Sequence, residues 1–66
     1  MNRLRKLRVL RGVKVSELSH AIGVVGDDTI RKYERGEREP NIKTLIALAD
    51  YFDVSIDYLV GRTVDE

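Results

Sequence analysis

The residues best equipped for chemistry in this 66-residue chain fall in one stretch, Asp27-Asp28-Thr29-Ile30-Arg31-Lys32-Tyr33-Glu34-Arg35. Arg31, Lys32 and Arg35 are spaced i, i+1, i+4, which places three cations on one side of a helix. A guanidinium bonds guanine O6 and N7, or two phosphate oxygens, through paired donors. The loop that follows, residues 35–41, adds Arg38 and leads to Asn41 and Lys43. Backbone N–H groups exposed at a helix start there are natural partners for phosphate. This donor set suits a polyanion, yet Asp27 and Asp28 open the stretch, and Glu37 and Glu39 weaken the field of the loop.

Other chemistries lack their residues. The chain has no cysteine and a single histidine, His20, so no thiolate site, disulfide framework or clustered metal site is expected. No nucleophile–base–acid set and no glycine-rich nucleotide loop is apparent. The reading is a protein that is not an enzyme, with no cofactor and no metal.

These side chains need rigid carriers, and the sequence supplies helices. Residues 2–11 form a first segment, with Leu4, Leu7 and Leu10 as an apolar stripe, Asn2 as cap and Gly12 as stop. A second runs over 16–22, with Ser16 as N-cap and Leu18, Ala21 and Ile22 inward. A third covers 27–35, with Ile30 and Tyr33 inward and Asp28, Arg31, Lys32 and Arg35 outward at about 100° per residue. A fourth follows Pro40, capped by Asn41, with an apolar face of Ile42, Leu45, Ile46, Ala49 and Phe52. A fifth spans 56–60 between Ser55 and Gly61. No segment alternates with the period of a strand. The expectation is an all-α, five-helix bundle, one domain over 1–66, with a helix-turn-helix at about 16–35 and C-terminal helices at 41–60. So short a chain buries a limited fraction of its surface, and its core must be efficient.

The net charge of +1 hides a gradient. Arg3, Arg5, Lys6, Arg8, Arg11 and Lys14 meet no acid before residue 15, whereas Arg62 alone opposes Asp50, Asp53, Asp57, Asp65 and Glu66 after residue 43. Such asymmetry points a basic half at a polyanion; two solvated helix faces are the plainer reading. No run approaches the roughly 18 apolar residues of a membrane span, and the basic start lacks the apolar core of a signal peptide. A cytoplasmic protein with no membrane partner is expected.

The chain resembles the phage Cro/repressor-type (XRE-like) helix-turn-helix family. The likeness rests on RLRKLRVLRGV at 3–13, ELSHAIGV at 17–24 and TIRKYERGEREPNIKTLIALADYFDVSIDYLVGR at 29–62. Its most specific parts are YERG with Pro40 four residues on, and LADYFDVSIDYLVG. The resemblance implies double-stranded DNA binding, a homodimer on a palindromic operator, and transcriptional regulation, usually repression. It implies a structural ion pair between Arg8 and Glu34, and a dimer surface near the C-terminal region, where Tyr51, Tyr58, Val60 and Val64 are the candidates. Base contacts then fall to Asp28, Arg31, Lys32 and Asp27, with Arg31 foremost, and phosphate contacts to Arg35, Arg38, Asn41, Lys43 and Ser16. The remaining front-end bases contribute long-range field.

Four features depart from the family pattern. Val15 stands where glutamine is common, Ser19 where alanine is common, the turn before Thr29 is one residue longer, and two aspartates replace the usual Ser, Arg, Gln or Lys. Three readings of those aspartates stay open. They stabilise the helix start, by about 0.3–1 kcal/mol through the dipole and about 0.2–0.5 kcal/mol per i,i+4 pair with Arg31 and Lys32. Or one accepts from cytosine N4 and selects that base. Or they repel phosphate, and the chain is a protein-interaction module, antitoxin- or anti-repressor-like, with a regulatory protein as partner.

Overall fold

The computed structural model describes residues 3–23 and 25–62. Five helices follow in order: α1 Leu4–Leu10, α2 Val15–Ala21, α3 Asp27–Arg35, α4 Ile42–Phe52 and α5 Ile56–Val60. There is no strand among the described residues.

Glycines and small polar caps set most of the boundaries. Asn41 Oδ1 accepts from the Thr44 N–H at 2.9 Å, and Ser55 Oγ from the Tyr58 N–H at 3.0 Å. Gly36 closes α3 with φ 76°, a left-handed conformation that a Cβ would strain. There the Gly36 and Glu37 N–H groups return to the carbonyls of Tyr33 and Lys32. At the other end of α3 the N-cap is Gly26, with φ 98°. It has no side chain to cap the helix, so the acids of the first turn face an uncapped dipole end.

Two expected starts differ. The cap assigned to Asn2 lies outside the described residues; the N-cap of α1 is Arg3. Helix α2 begins at Val15 rather than Ser16, with Lys14 as N-cap. The Lys14 N–H donates to Glu17 Oε1 at 3.0 Å, so the acid three residues on does the capping. Ser16 stands exposed in the first turn.

One core holds the helices together: Leu4, Leu7, Leu18, Ile30, Tyr33, Leu48, Ala49, Phe52 and Leu59. Leu10, expected in the α1 stripe, is 72% exposed. Steps of three lag the helical turn by about 60° each, so Leu10 lies about 120° around from Leu4. On α4 the buried residues are Leu48, Ala49 and Phe52, while Ile42 and Ile46 are exposed. A helix apolar over so much of its circumference leaves its inward direction to its neighbours, and α4 packs against α5 through the core that contains Leu59.

On α2 the second buried residue is Ser19, where Ala21 was expected. Its Oγ accepts from the Gly26 N–H at 2.8 Å, so a core hydroxyl ties α2 to the residue that starts α3. The Gly26 N–H, in an irregular turn, thus finds its acceptor in a core side chain, as a partly buried donor requires. Ser19→Ala is expected to cost about 1–2 kcal/mol, the penalty for stranding one partly buried donor. Urea unfolding checks this; a change within about 0.3 kcal/mol would show that water replaces the hydroxyl without loss.

Candidate nucleic-acid interface

Helix α3 is fixed from inside and open outside. Ile30 and Tyr33 are buried, while Asp27, Asp28, Arg31, Lys32 and Arg35 are exposed. Glu34 turns back toward α1. Arg8 Nε donates to Glu34 Oε2 at 2.5 Å and Nη2 to Oε1 at 3.4 Å, while Nη1 reaches the Val13 carbonyl at 3.0 Å. The two side chains are only 15% and 6% exposed. One guanidinium thus joins α1, the loop before α2, and α3.

Above this pair lies an open cleft of about 450 Å³ lined by Arg5, Arg8, Val15, Arg31, Glu34 and Arg35. Glu34 holds Arg8 and Glu37 holds Arg35, so Arg5 and Arg31 give the wall its net positive charge. Arg5 is brought to the site from α1, where the sequence reading gave it only long-range field. Its spacing of three from Arg8 was the available signal, because i and i+3 share a face. The cleft also separates the outward residues of α3. Arg31 and Arg35, one and two turns after Asp27, line it, whereas Asp28 and Lys32 form the neighbouring stripe.

Arg35 is engaged. Its Nε donates to Glu37 Oε2 at 2.7 Å and its Nη2 to Glu37 Oε1 at 3.2 Å. The hydrogen bond and the charge of Arg35 hold the Glu37 carboxyl below its ordinary range, with Lys32 adding to the effect. Glu37 in turn raises the guanidinium, and Asp28 contributes. Because the folded carboxyl is depressed, the stabilisation from this pair is fully present above the ordinary carboxylate pKa. It is lost as pH falls through the lowered one.

The loop and the start of α4 carry Arg38, Asn41 and Lys43, all exposed. Asn41 spends its carbonyl oxygen on the cap of α4, leaving its amide donors. Ser16 sits in the first turn of α2. Of the C-terminal candidates, Tyr51 is exposed and meets Phe52 edge-on at 5.0 Å. Tyr58 and Val60 are half-buried. The Arg3 guanidinium lies 4.3 Å over the Tyr58 ring and also donates to the Tyr58 carbonyl at 3.1 Å, so this tyrosine already fastens the N-terminal end to α5. Val64 lies outside the described residues. Exposed Ile42 and Ile46 on α4 are further apolar surface that the sequence placed in the core.

Among the described residues no cluster of three or more His, Cys, Asp or Glu is placed to hold a metal. No helix there is long and apolar enough to cross a membrane.

Comparison with known proteins gives a consistent likeness. A family model described as helix-turn-helix matches residues 4–59. The cryptic phage CTXphi transcriptional repressor RstR of Vibrio cholerae is 37% identical over 60 residues, 91% of this chain and 53% of that protein. The HTH-type transcriptional regulator ImmR of Bacillus subtilis strain 168 is 33% identical over 60 residues, 91% of this chain and 46% of the relative. The uncharacterized HTH-type transcriptional regulator YobD, also of B. subtilis strain 168, is 35% identical over 63 residues, 96% of this chain and 55% of the relative. The chain therefore spans about half the length of the curated relatives it matches. No solved structure matches it significantly.

Proposed function

Because this chain belongs to the XRE-like helix-turn-helix family, we propose that it binds double-stranded DNA sequence-specifically and acts as a cytoplasmic transcriptional repressor, two copies meeting a palindromic operator. The observation that carries this is α3 itself. Its inner side is anchored by Ile30, Tyr33 and the buried Arg8–Glu34 pair, and its outer side presents Arg31 and Lys32 unobstructed. A helix anchored on one side and open on the other suits the major groove, with its first turns toward the bases.

In this reading Arg31, Lys32 and Asp28 meet base edges, with Asp27 at the margin. Arg35, Arg38, Lys43, Asn41 and Ser16 meet the backbone on either side. The longest dimension of the fold is 30 Å. Half-sites one helical turn apart stand about 34 Å from centre to centre. One copy therefore serves one half-site, and a second copy joined through the Tyr51, Tyr58, Val60 and Val64 region serves the other. A two-fold operator follows from such a two-fold protein.

Selection of duplexes from a mixed genomic pool, at low and then moderate salt, tests this reading. The expected outcome is enrichment of one palindromic sequence that survives the higher salt, since base contacts persist when phosphate contacts are screened. Retention of every duplex alike at low salt, or of none, would reject a sequence-specific regulator. Retention of none would turn attention to the protein-interaction reading.

A further inference from the structure

Two arginine–carboxylate pairs flank the C-terminal half of α3, and they differ in kind. Arg8–Glu34 is enclosed and anchored to the Val13 carbonyl. Arg35–Glu37 is open, with side chains 53% and 54% exposed. It bridges the left-handed Gly36 that ends the helix. Both Glu37 oxygens are used, on Nε and Nη2 of Arg35. That is the side-by-side geometry in which a guanidinium also takes two phosphate oxygens.

We propose that Glu37 is a resident competitor for phosphate: it occupies the Arg35 guanidinium in the free protein and is displaced by a DNA backbone phosphate, so that this carboxylate sets the affinity and salt dependence of binding. The inference rests on the reading of Arg35 as a phosphate ligand given above.

Three observations support it. The pair is accessible from solvent, so one anion can replace the other without any core group moving. The pair is held by its near neighbours, Asp28 acting on the guanidinium and Lys32 on the carboxylate, while Arg5 and Arg31 line the same cleft as Arg35 and draw an incoming anion toward it. The exchange is also nearly balanced, since a monoanionic phosphate replaces a monoanionic carboxylate that is then left facing the DNA backbone. A cation already neutralised within the protein adds less than one full charge to the counterion-release slope.

The test uses the whole chain, the duplex enriched from the genomic pool and a random-sequence duplex, with anisotropy titrations at several salt concentrations. Glu37→Gln should bind both duplexes about fivefold more tightly, the effect of roughly one unit charge about 4 Å away in water. Its log–log salt slope should steepen by about one. Arg35→Ala should weaken both duplexes, and the Arg35→Ala/Glu37→Gln double variant should bind like Arg35→Ala, because the carboxylate acts only through that guanidinium. A gain from Glu37→Gln that persists in full without Arg35 would overturn the proposal and leave Glu37 as a source of general repulsion. So would an unchanged Glu37→Gln beside a weakened Arg35→Ala, in which case Arg35 keeps its phosphate role. If Arg35→Ala changes nothing in either background, the assignment of Arg35 to phosphate fails and the competitor role goes with it. If no variant binds any duplex, the reading of the chain as a DNA-binding protein is what has failed, and this proposal falls for that reason.

Discussion

Arg8→Ala lowers the stability of the domain by about 3 kcal/mol, the lower end of the cost of removing one partner from a buried ion pair. The change strands the Glu34 carboxylate, whose side chain is 6% exposed, and deprives the Val13 carbonyl of its donor. A domain of this size has a total stability of about 3–10 kcal/mol, so the variant loses roughly a third of it or more. Glu34→Ala should cost less. The Arg8 side chain is 15% exposed and long enough to carry its charge to water over an apolar stem. The double replacement Arg8→Met/Glu34→Leu should recover most of the loss, because an apolar pair of similar volume avoids desolvating two charges. Urea unfolding of the four proteins measures all of this. A loss under about 1 kcal/mol for Arg8→Ala, the size typical of exposed pairs, would mean that water reaches Glu34 and that α3 is held by its apolar contacts alone.

The parts of the fold that were readable in advance have local causes. Asn41, Ser55, Gly36 and Gly61 fix helix ends through their own side chains or their own φ angles, and the end of α3, the start of α4 and both bounds of α5 fall where those residues put them. The parts that were not readable depend on what a helix packs against. Leu10, Ile42 and Ile46 are as apolar as Leu48, but only Leu48 faces the core shared with α5. The same holds for the site. The cations of α3 follow from period alone, whereas the Arg8–Glu34 pair was implied only by the family resemblance. The Ser19–Gly26 bond joins residues seven apart across an irregular turn, which no periodicity anticipates. The Arg35–Glu37 pair forms past the point where Gly36 abandons the helix, so helical spacing says nothing of it. Arg5 lines a cleft that α1 and α3 make together, and the spacing of one helix does not reveal a cleft between two.

Asp28→Asn is expected to weaken binding to the enriched duplex by about 1–3 kcal/mol and to move the preferred base at one position of each half-site from cytosine toward adenine. The size is that of one good side-chain–base pairing. A carboxylate only accepts, and cytosine N4 offers a donor in the major groove; a carboxamide both accepts and donates, which matches adenine N6 and N7. The position supports this role over that of its neighbour. Asp28 is in the first turn of α3, exposed, and shares a stripe with Lys32 that runs along the outward face. Asp27 shares its stripe with Arg31, which lines the basic cleft beside Arg5, so Asp27→Asn should alter base preference less. Both substitutions keep the side-chain length and lose about 0.3–1 kcal/mol of dipole energy, well under the total stability of about 3–10 kcal/mol, so the variants stay folded while recognition is read. Selection repeated with each variant reads the base preference directly, and anisotropy reads the affinity. If both variants instead bind every duplex more tightly by the same factor, the aspartates serve the helix start and repel the backbone, and base choice at that position belongs to Arg31 and Lys32. If Asp28→Asn shifts the preference while Asp27→Asn does not, the aspartate that looked hostile to DNA is the residue that selects it.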